Sequence, residues 1–323
     1  MGSNYNMKTI KEEFKSKGIF YTPPELGEYL KSLIDVDYDE VYDPTCGHGS
    51  LLSVFPDDVK KYGQELNDFA VEEARKSLKN FTGEIGDTLK EDKFKGKQFK
   101  VIVANPPFSI KYEATKELEE DERFKDLPCL APPSKADYMF IFHILAKLKE
   151  DGIAVVLNFP GIAYRGNKEG KLRQHLIENN FIDTVIAVPG KKFVDTAIPT
   201  LVLILKKNKN TTDIRFVDAE NELERTVSLE DIKNENFNLS VSTYVERPVV
   251  EEKIDINELE SKAHESCMKY LKASLELTAM HCWLNNDPNF EKYREDIMEV
   301  VRNAPTPEMV MDKVLKKINI KGD

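Results

Sequence analysis

Phe99-Lys100-Val101-Ile102-Val103-Ala104 runs directly into Asn105-Pro106-Pro107-Phe108. The first six residues form an apolar, β-branched run without polar alternation, the pattern of a parallel strand covered on both faces. The strand has to end where the prolines begin. Each proline lacks an N–H and biases the residue before it toward extended backbone. Working upstream, Gly83 to Ile85 reads as a strand ending at Gly86-Asp87, Tyr62-Gly63-Gln64-Glu65 ends another, and Glu40-Val41-Tyr42 runs into a glycine-containing turn from Asp43 to Gly49. Downstream, strands are expected at Ile153 to Leu157, near Thr184–Val188 and near Thr200–Leu205.

Helical signals separate these strands. Thr22-Pro23-Pro24-Glu25 reads as an N-cap, proline in the first turn and an acid, followed by Leu26, Tyr29, Leu30, Leu33 and Ile34 at helical spacing. Asn67 is placed to cap a helix through Leu78, and further helices are expected at Ala136 to Lys149 and Lys168 to Asn179. The alternation predicts an α/β fold: a doubly wound, Rossmann-like, mostly parallel sheet with helices on both faces. Such sheets bind ligands beyond the carboxyl ends of their strands, where the punctuated segments at Asp43, Glu65, Asp87 and Asn105 all fall. The charged stretch from Ser109 to Lys135 reads as a functional or mobile loop. From about Thr211 the pattern changes to a small strand, polar turns and helical stretches at Asp255 to Met280 and Phe290 to Lys317.

Composition narrows the class. The chain has 323 residues, 41% of them hydrophobic, enough for one large domain and an appendage. No run of about 18 apolar residues is present and the first residues do not resemble a secretion signal, so a cytoplasmic protein is expected. The four cysteines show no close pairing and the five histidines no ligand spacing, so free thiols and no metal are expected. A net charge of −11 argues against tight, unaided binding to nucleic acid. Between Gly161 and Asn210, however, nine basic residues stand against four acids. The nine are Arg165, Lys168, Lys171, Arg173, Lys191, Lys192, Lys206, Lys207 and Lys209. Each alone reads as a solvated side chain; together they are the best candidate for phosphate contact.

Four segments carry chemistry. In Asp43-Pro44-Thr45-Cys46-Gly47-His48-Gly49, glycines after a strand let a ligand approach the backbone closely. The dinucleotide fingerprint needs a further glycine where Leu52 stands, so a pyrophosphate is disfavoured. Asp43 at the strand end suits a cationic amino group. Glu65, with Leu66 after it, is either a solvated strand-end acid or an acceptor for both ribose hydroxyls. Asp87, with Thr88, is either a helix cap or an acceptor for an adenine amino group. Asn105-Pro106-Pro107-Phe108 is the most informative. The Asn105 side-chain oxygen and the Pro106 carbonyl form two acceptors for one –NH2 group, and Phe108 offers a ring for stacking a base drawn out of a helix. An exocyclic adenine amine is a poor nucleophile because its lone pair is delocalised. Accepting both protons favours a tetrahedral nitrogen with a localised pair, which is positioning and electrostatic stabilisation rather than strong-base catalysis.

These segments resemble the amino-methyltransferases that use S-adenosylmethionine (SAM), and more closely the modification subunits of type I restriction–modification systems. Phe20-Tyr21-Thr22-Pro23 is similar to the family's F-Y/F-T-P segment, Asp43 to Gly49 to its D-P-x-C-G-x-G loop, Gly63-Gln64-Glu65 to its G-Q-E, and Asn105 to Phe108 to its catalytic N-P-P-F. Tyr164-Arg165-Gly166 resembles its F-R-G, Ile198-Pro199-Thr200 its I-P-T strand, and Asn238-Leu239 through Tyr244-Val245 its N-L-x-x-x-x-Y-V segment. The likeness covers roughly residues 18 to 245 in the family's order. It implies a SAM-dependent DNA methyltransferase acting on adenine N6. Asn105, Pro106, Pro107 and Phe108 would be catalytic. Tyr21, Thr22, Asp43, Pro44, Thr45, Gly47, Gly49, Glu65, Leu66, Asp87, Thr88 and Asn105 would hold SAM.

The resemblance further implies double-stranded DNA as substrate, a specificity subunit and a second modification subunit as partners, and no membrane or metal. The change of pattern at about Thr211 divides the chain into a short extension (1–17), a methyltransferase domain (18–210) and a mixed, mainly helical C-terminal region (211–323), expected to dock a partner or to serve simply as a packed helical cap. Two departures stand out. The family's subunits usually carry a helical region ahead of F-Y-T-P, and Ser242-Thr243 replaces the usual basic residue before the tyrosine. Three other readings compete: an amino-methyltransferase for protein glutamine or RNA, a non-catalytic subunit that occupies a specificity partner, and, weakest, a NAD-dependent enzyme.

Overall fold

The computed structural model describes residues 22–190, 199–246 and 256–284, with Glu291 and Glu295. The chain divides into two compact units, Met1–Arg247 and Pro248–Asp323. In the first unit, nine strands form a single sheet: β1 (Glu40–Asp43), β2 (Lys60–Glu65), β3 (Phe81–Ile85), β4 (Phe99–Ala104), β5 (Leu148–Asn158), β6 (Ile182–Val188), β7 (Thr200–Lys206), β8 (Ile214–Asp218) and β9 (Leu223–Val227). Their order is β3-β2-β1-β4-β5-β7-β6-β8-β9. The strands run parallel except β7, which opposes β5 and β6, and β9, which opposes β8. The expected doubly wound sheet is therefore present. The chain winds outward through β1, β2 and β3, then crosses back to lay β4 beside β1. A topological switch point lies between β1 and β4.

The apolar strands alternate between two cores. Val101 and Val103 of β4 face one core and Ile102 and Ala104 the other, and Val41 and Tyr42 of β1 divide the same way. Helix α1 (Pro24–Ser32) covers the first core with Leu26 and Leu30. The second core is covered by α4 (Asp137–Lys147) and α5 (Asn167–Glu178), through residues such as Met139, Ile141, Leu172 and Leu176. Helix α2 (Asp68–Ser77) begins as the sequence reads it, with the Asn67 side chain accepting from the Ala70 N–H at 3.2 Å. Among the described residues of this unit the remaining α-helices are α3 (Lys116–Glu119), α6 (Leu229–Asn234) and α7 (Val241–Tyr244).

Three expectations need adjustment. The sequence places a division at residue 210, but β8 pairs with β6 and carries β9 with it, so the sheet continues to Val227 and the first unit runs on to Arg247. Ser109 to Lys135 is packed rather than loose. Leu118, Phe124, Leu130 and Ala131 are buried, and the two ends are tied where Tyr112 N–H donates to Pro133 O (3.0 Å) and Ala136 N–H to Ile110 O (2.9 Å). The basic cluster does not form one surface. Because β7 runs backwards, Lys206, Lys207 and Lys209 stand at the sheet edge opposite the ends of β1 to β5. Arg173 is buried and donates to the carbonyls of Phe237, Ile162 and Arg165. Lys168 and Lys171 are exposed on α5, and Lys191 and Lys192 lie outside the described residues.

In the second unit, α8 spans Ile256–Leu284. Asp255 and most of the expected helix from Phe290 to Lys317 lie outside the described residues. No described helix is long and apolar enough to cross a membrane.

Arg123 locks the packed segment to the sheet. It donates to Asp121 at 2.7 Å, to Thr88 O at 2.6 Å, to Leu89 O at 2.8 Å and to His143 Nδ1 at 2.9 Å. Accepting that bond leaves His143 neutral. Burial, with Arg123 and Lys147 nearby, pushes its pKa well below the usual range. Arg123→Ala leaves several buried acceptors unpaired and is expected to cost about 3 kcal/mol or more in urea denaturation. A loss below about 1 kcal/mol would refute the locking role.

Candidate active site

The sheet order places the carboxyl ends of β3, β2, β1, β4 and β5 side by side. One polar residue stands at or just beyond each end: Asp87, Glu65, Asp43, Asn105 and Asn158. With strands about 4.8 Å apart, the row from β3 to β4 is about 14 Å long. It is a continuous line of oxygen acceptors, suited to an extended ligand that carries donors along its length.

The β1 turn is shaped by its glycines. Gly47 and Gly49 have φ of +52° and +80°, a region that side chains disfavour. A Cβ at Gly49 would also stand 2.5 Å from Leu78 Cδ1. Asp43 is 2% exposed; its Oδ1 accepts from Thr45 N–H at 2.9 Å, while Pro44 O accepts from the Thr88 hydroxyl. Burial pushes the Asp43 carboxyl up to about 7, opposed by the Thr45 N–H and reinforced by the charge of Glu65. Glu65 binds the turn directly. Its Oε2 accepts from Gly47 N–H at 3.1 Å and its Oε1 from Asn67 N–H at 2.9 Å. Each oxygen keeps a further lone pair. Leu66 beside it is 68% exposed, an apolar side chain left in solvent next to an acid. Asp87 accepts from Leu89 N–H at 3.0 Å within a turn, and no described helix follows for it to cap.

Asn105 follows β4 at the switch point. Its Nδ2 donates to Thr22 Oγ1 at 3.1 Å, which orients the amide. Its Oδ1 is buried and has no partner among the described residues. Pro106 is buried, Pro107 is half-buried, and Phe108 is half-buried against the core under α1. Thr22 was expected to cap α1. Instead Pro23 occupies the cap position without a side-chain bond, and buried Thr22 serves Asn105. The adjacent Tyr21 lies outside the described residues.

The structure thus gathers Thr22, Asp43, Pro44, Thr45, Gly47, Gly49, Glu65, Leu66, Asp87, Thr88 and Asn105 to Phe108 on one edge of the sheet. Sequence reasoning missed Asn158 and Asp137 and gave Gln64 no role of its own. Asn158 ends β5 just as Asn105 follows β4, and its Oδ1 is likewise buried without a partner. A polar residue closing an apolar run was the available signal. Gln64 is buried and braces the β3 turn, donating to Gly86 O and Glu91 O and accepting from Lys93 N–H. Asp137, at the start of α4, accepts from Ser109 N–H at 3.0 Å. Among the described residues no group of three or more His, Cys, Asp or Glu side chains is placed to hold a metal ion.

The N-6 DNA Methylase family model matches residues 4–226. The type I restriction enzyme MpnII methylase subunit of Mycoplasma pneumoniae is 34% identical, covering 76% of this chain and 56% of that protein. The MjaIX methylase subunit of Methanocaldococcus jannaschii is 28% identical over 66% of this chain and 42% of its own length. The chain spans about half the length of the curated relatives it matches. Among solved structures, the type I restriction-modification methyltransferase subunit of Streptococcus thermophilus superposes with a TM-score of 0.65 at 31% identity, over 70% of this chain and 59% of that one.

The raised pKa of Asp43 has a measurable consequence. Because the folded value (about 7) exceeds the ordinary carboxylate value of 3.8, the folded chain holds this proton more tightly. Its contribution is greatest below the unfolded pKa and is lost as pH rises through 7. Asp43→Asn keeps the acceptor for Thr45 but removes the charge. Its stability advantage over the parent is expected to grow by up to about 1.4 kcal/mol per pH unit between pH 4 and 7, then level off. Denaturation midpoints at pH 5, 6, 7 and 8 test this; an advantage that does not vary with pH would refute it.

Proposed function

The chain belongs to the N-6 DNA methylase family, and from that premise we propose that it transfers a methyl group from SAM to the N6 of adenine in double-stranded DNA. It would do so in the cytoplasm, as the modification subunit of a restriction–modification system. One observation carries the reading: Asn105 Oδ1, a buried acceptor without a partner, stands at the switch point between β1 and β4.

The residues on the sheet edge fit SAM. Buried Asp43 is a carboxylate that a cationic amino group would compensate. Glu65 is already fixed by two main-chain donors and has lone pairs left for ribose hydroxyls. Exposed Leu66 offers apolar cover, and Asp87 and Thr88 lie beyond it for the adenine end. Tyr21, Thr22, Pro44, Thr45, Gly47, Gly49 and Asn105 complete the proposed set. Bound there, SAM supplies a methyl group on a cationic sulfur.

The chain's own task is to present the second reactant. Asn105 Oδ1 and the Pro106 carbonyl would accept the two protons of the target amine and turn its lone pair toward the donor. Thr22 holds the Asn105 amide so that its oxygen, not its nitrogen, faces the ligand. Pro107 stiffens the turn, and Phe108 would stack on the extruded base. The substrate nitrogen would take the methyl as that group's bond to sulfur breaks, leaving a neutral thioether, and would then shed one proton to solvent.

Sequence specificity is assigned to a partner. Helix α8 carries Ile256, Leu259, Ala263, Ser266, Tyr270, Ala273, Leu277 and Met280 at alternating spacings of three and four, the repeat of a coiled-coil seam. Ile256, Leu259, Tyr270, Leu277 and Met280 are all exposed. This seam would dock a specificity subunit, with a second modification subunit completing the assembly.

Two outcomes are expected. In cells expressing the chain with its neighbouring genes, Asn105→Ala should leave SAM affinity intact in calorimetry while cutting adenine methylation about 100-fold or more. Retained methylation of DNA, or methyl label found only in protein or RNA, would refute the assignment. Leu259→Asp with Leu277→Asp should abolish co-purification with the specificity subunit and leave SAM binding unchanged. An intact complex would refute the docking seam.

A further inference from the structure

We infer that Asp137 is a positioning residue for the Asn105–Phe108 turn. It acts through Ser109, and the inference rests on the methyltransferase reading above. The turn is joined at its start to β4, which is rigid. Its far end is Ser109, where φ is +52°. A side chain in that region is strained, and such residues persist only where their surroundings hold them.

The restraint is visible. Asp137 Oδ1 accepts the Ser109 N–H at 3.0 Å, and one residue on, Ala136 N–H donates to Ile110 O at 2.9 Å. These two bonds fasten the exit of the turn to the first turn of α4, an 11-residue helix buried along nearly its whole length. The Arg165 guanidinium lies 3.4 Å from Ser109 Oγ and adds a weaker contact. Phe108 therefore sits between two anchored points, β4 and Ser109.

The choice of residue is informative. Asp137 is 2% exposed, and its second oxygen, Oδ2, is buried without a partner among the described residues. A buried, half-satisfied carboxylate is unfavourable for stability. The helix N-terminus offsets part of that by favouring negative charge. What the side chain delivers in return is the bond to the main chain of Ser109, the residue held in the left-handed region. Without it the backbone after Phe108 relaxes to negative φ and the ring changes direction. The sequence hides this link because 27 residues separate Ser109 from Asp137.

The test uses the complete complex, encoded at its chromosomal locus and purified with its partners. Asp137→Ala is expected to lower kcat for DNA methylation about 10–100-fold, with SAM affinity and KM for DNA little changed. Asp137→Asn preserves the acceptor and should keep most of the rate. Ser109→Gly in the Asp137→Ala background should restore much of it, because glycine adopts positive φ without strain. Ser109→Pro removes the same bond from the other end and itself forces φ to about −65°, so it should be at least as impaired as Asp137→Ala. The inference is overturned if kcat per folded molecule is unchanged in Asp137→Ala or Ser109→Pro, or if Asp137→Asn is as impaired as Asp137→Ala. A parent complex that makes no N6-methyladenine defeats the underlying reading as well. An active parent with an equally active Asp137→Ala defeats only the positioning role.

Discussion

Strands buried on both faces leave polar side chains only their ends to occupy. That constraint organises the whole first unit. β1, β4 and β5 divide their apolar residues between two cores, and their polar residues (Glu40 and Asp43, Lys100, and Lys149 to Asp151 with Asn158) gather toward the strand ends. Parallel pairing brings the strand ends to a single edge, and the switch point between β1 and β4 opens a crevice there. Asp43, Glu65, Asp87, Asn105 and Asn158 are thus collected by topology rather than by neighbourhood in sequence.

Once collected, they form a line of acceptors held in unequal states. Glu65 is anchored by two main-chain donors, Asp43 is held partly protonated near neutral pH by burial, and Asn105 is oriented by Thr22 with its oxygen unpartnered. The inequality suits a ligand that is cationic at one end and rich in hydroxyls along its middle, with an amine presented beside Asn105. Neighbouring elements keep the edge in shape. Gln64 and Arg123 brace the β3 turn, while α4 holds the exit of the Asn105 turn.

Much of this was legible in the sequence because it depends on local pattern. The β-branched run Phe99 to Ala104 is β4, Asn67 caps α2, and the glycines of the β1 turn have the positive φ that only their lack of a side chain makes easy. What was not legible depends on contacts between distant residues. Thr22 has the residue type and spacing of a helix cap, but its hydroxyl is taken by Asn105, 83 positions away. Ser109 to Lys135 has the composition of a loose loop, yet Arg123 pairs with main-chain oxygens of Thr88 and Leu89 and draws the segment onto the sheet. The lysines after β7 look contiguous with those of α5, but the strand's reversal sends them to the opposite edge. Asn158 and Asp137 lie in no recognised motif, and only their burial with unpartnered oxygens marks them.

The most direct measurement is a structure of the assembled complex with DNA and a non-reactive SAM analogue. The expected result is a target adenine outside the duplex, with its N6 within about 3.2 Å of both Asn105 Oδ1 and the Pro106 carbonyl oxygen. An adenine still stacked in the duplex, or an N6 held by other residues while Asn105 Oδ1 stays without a partner, would contradict it.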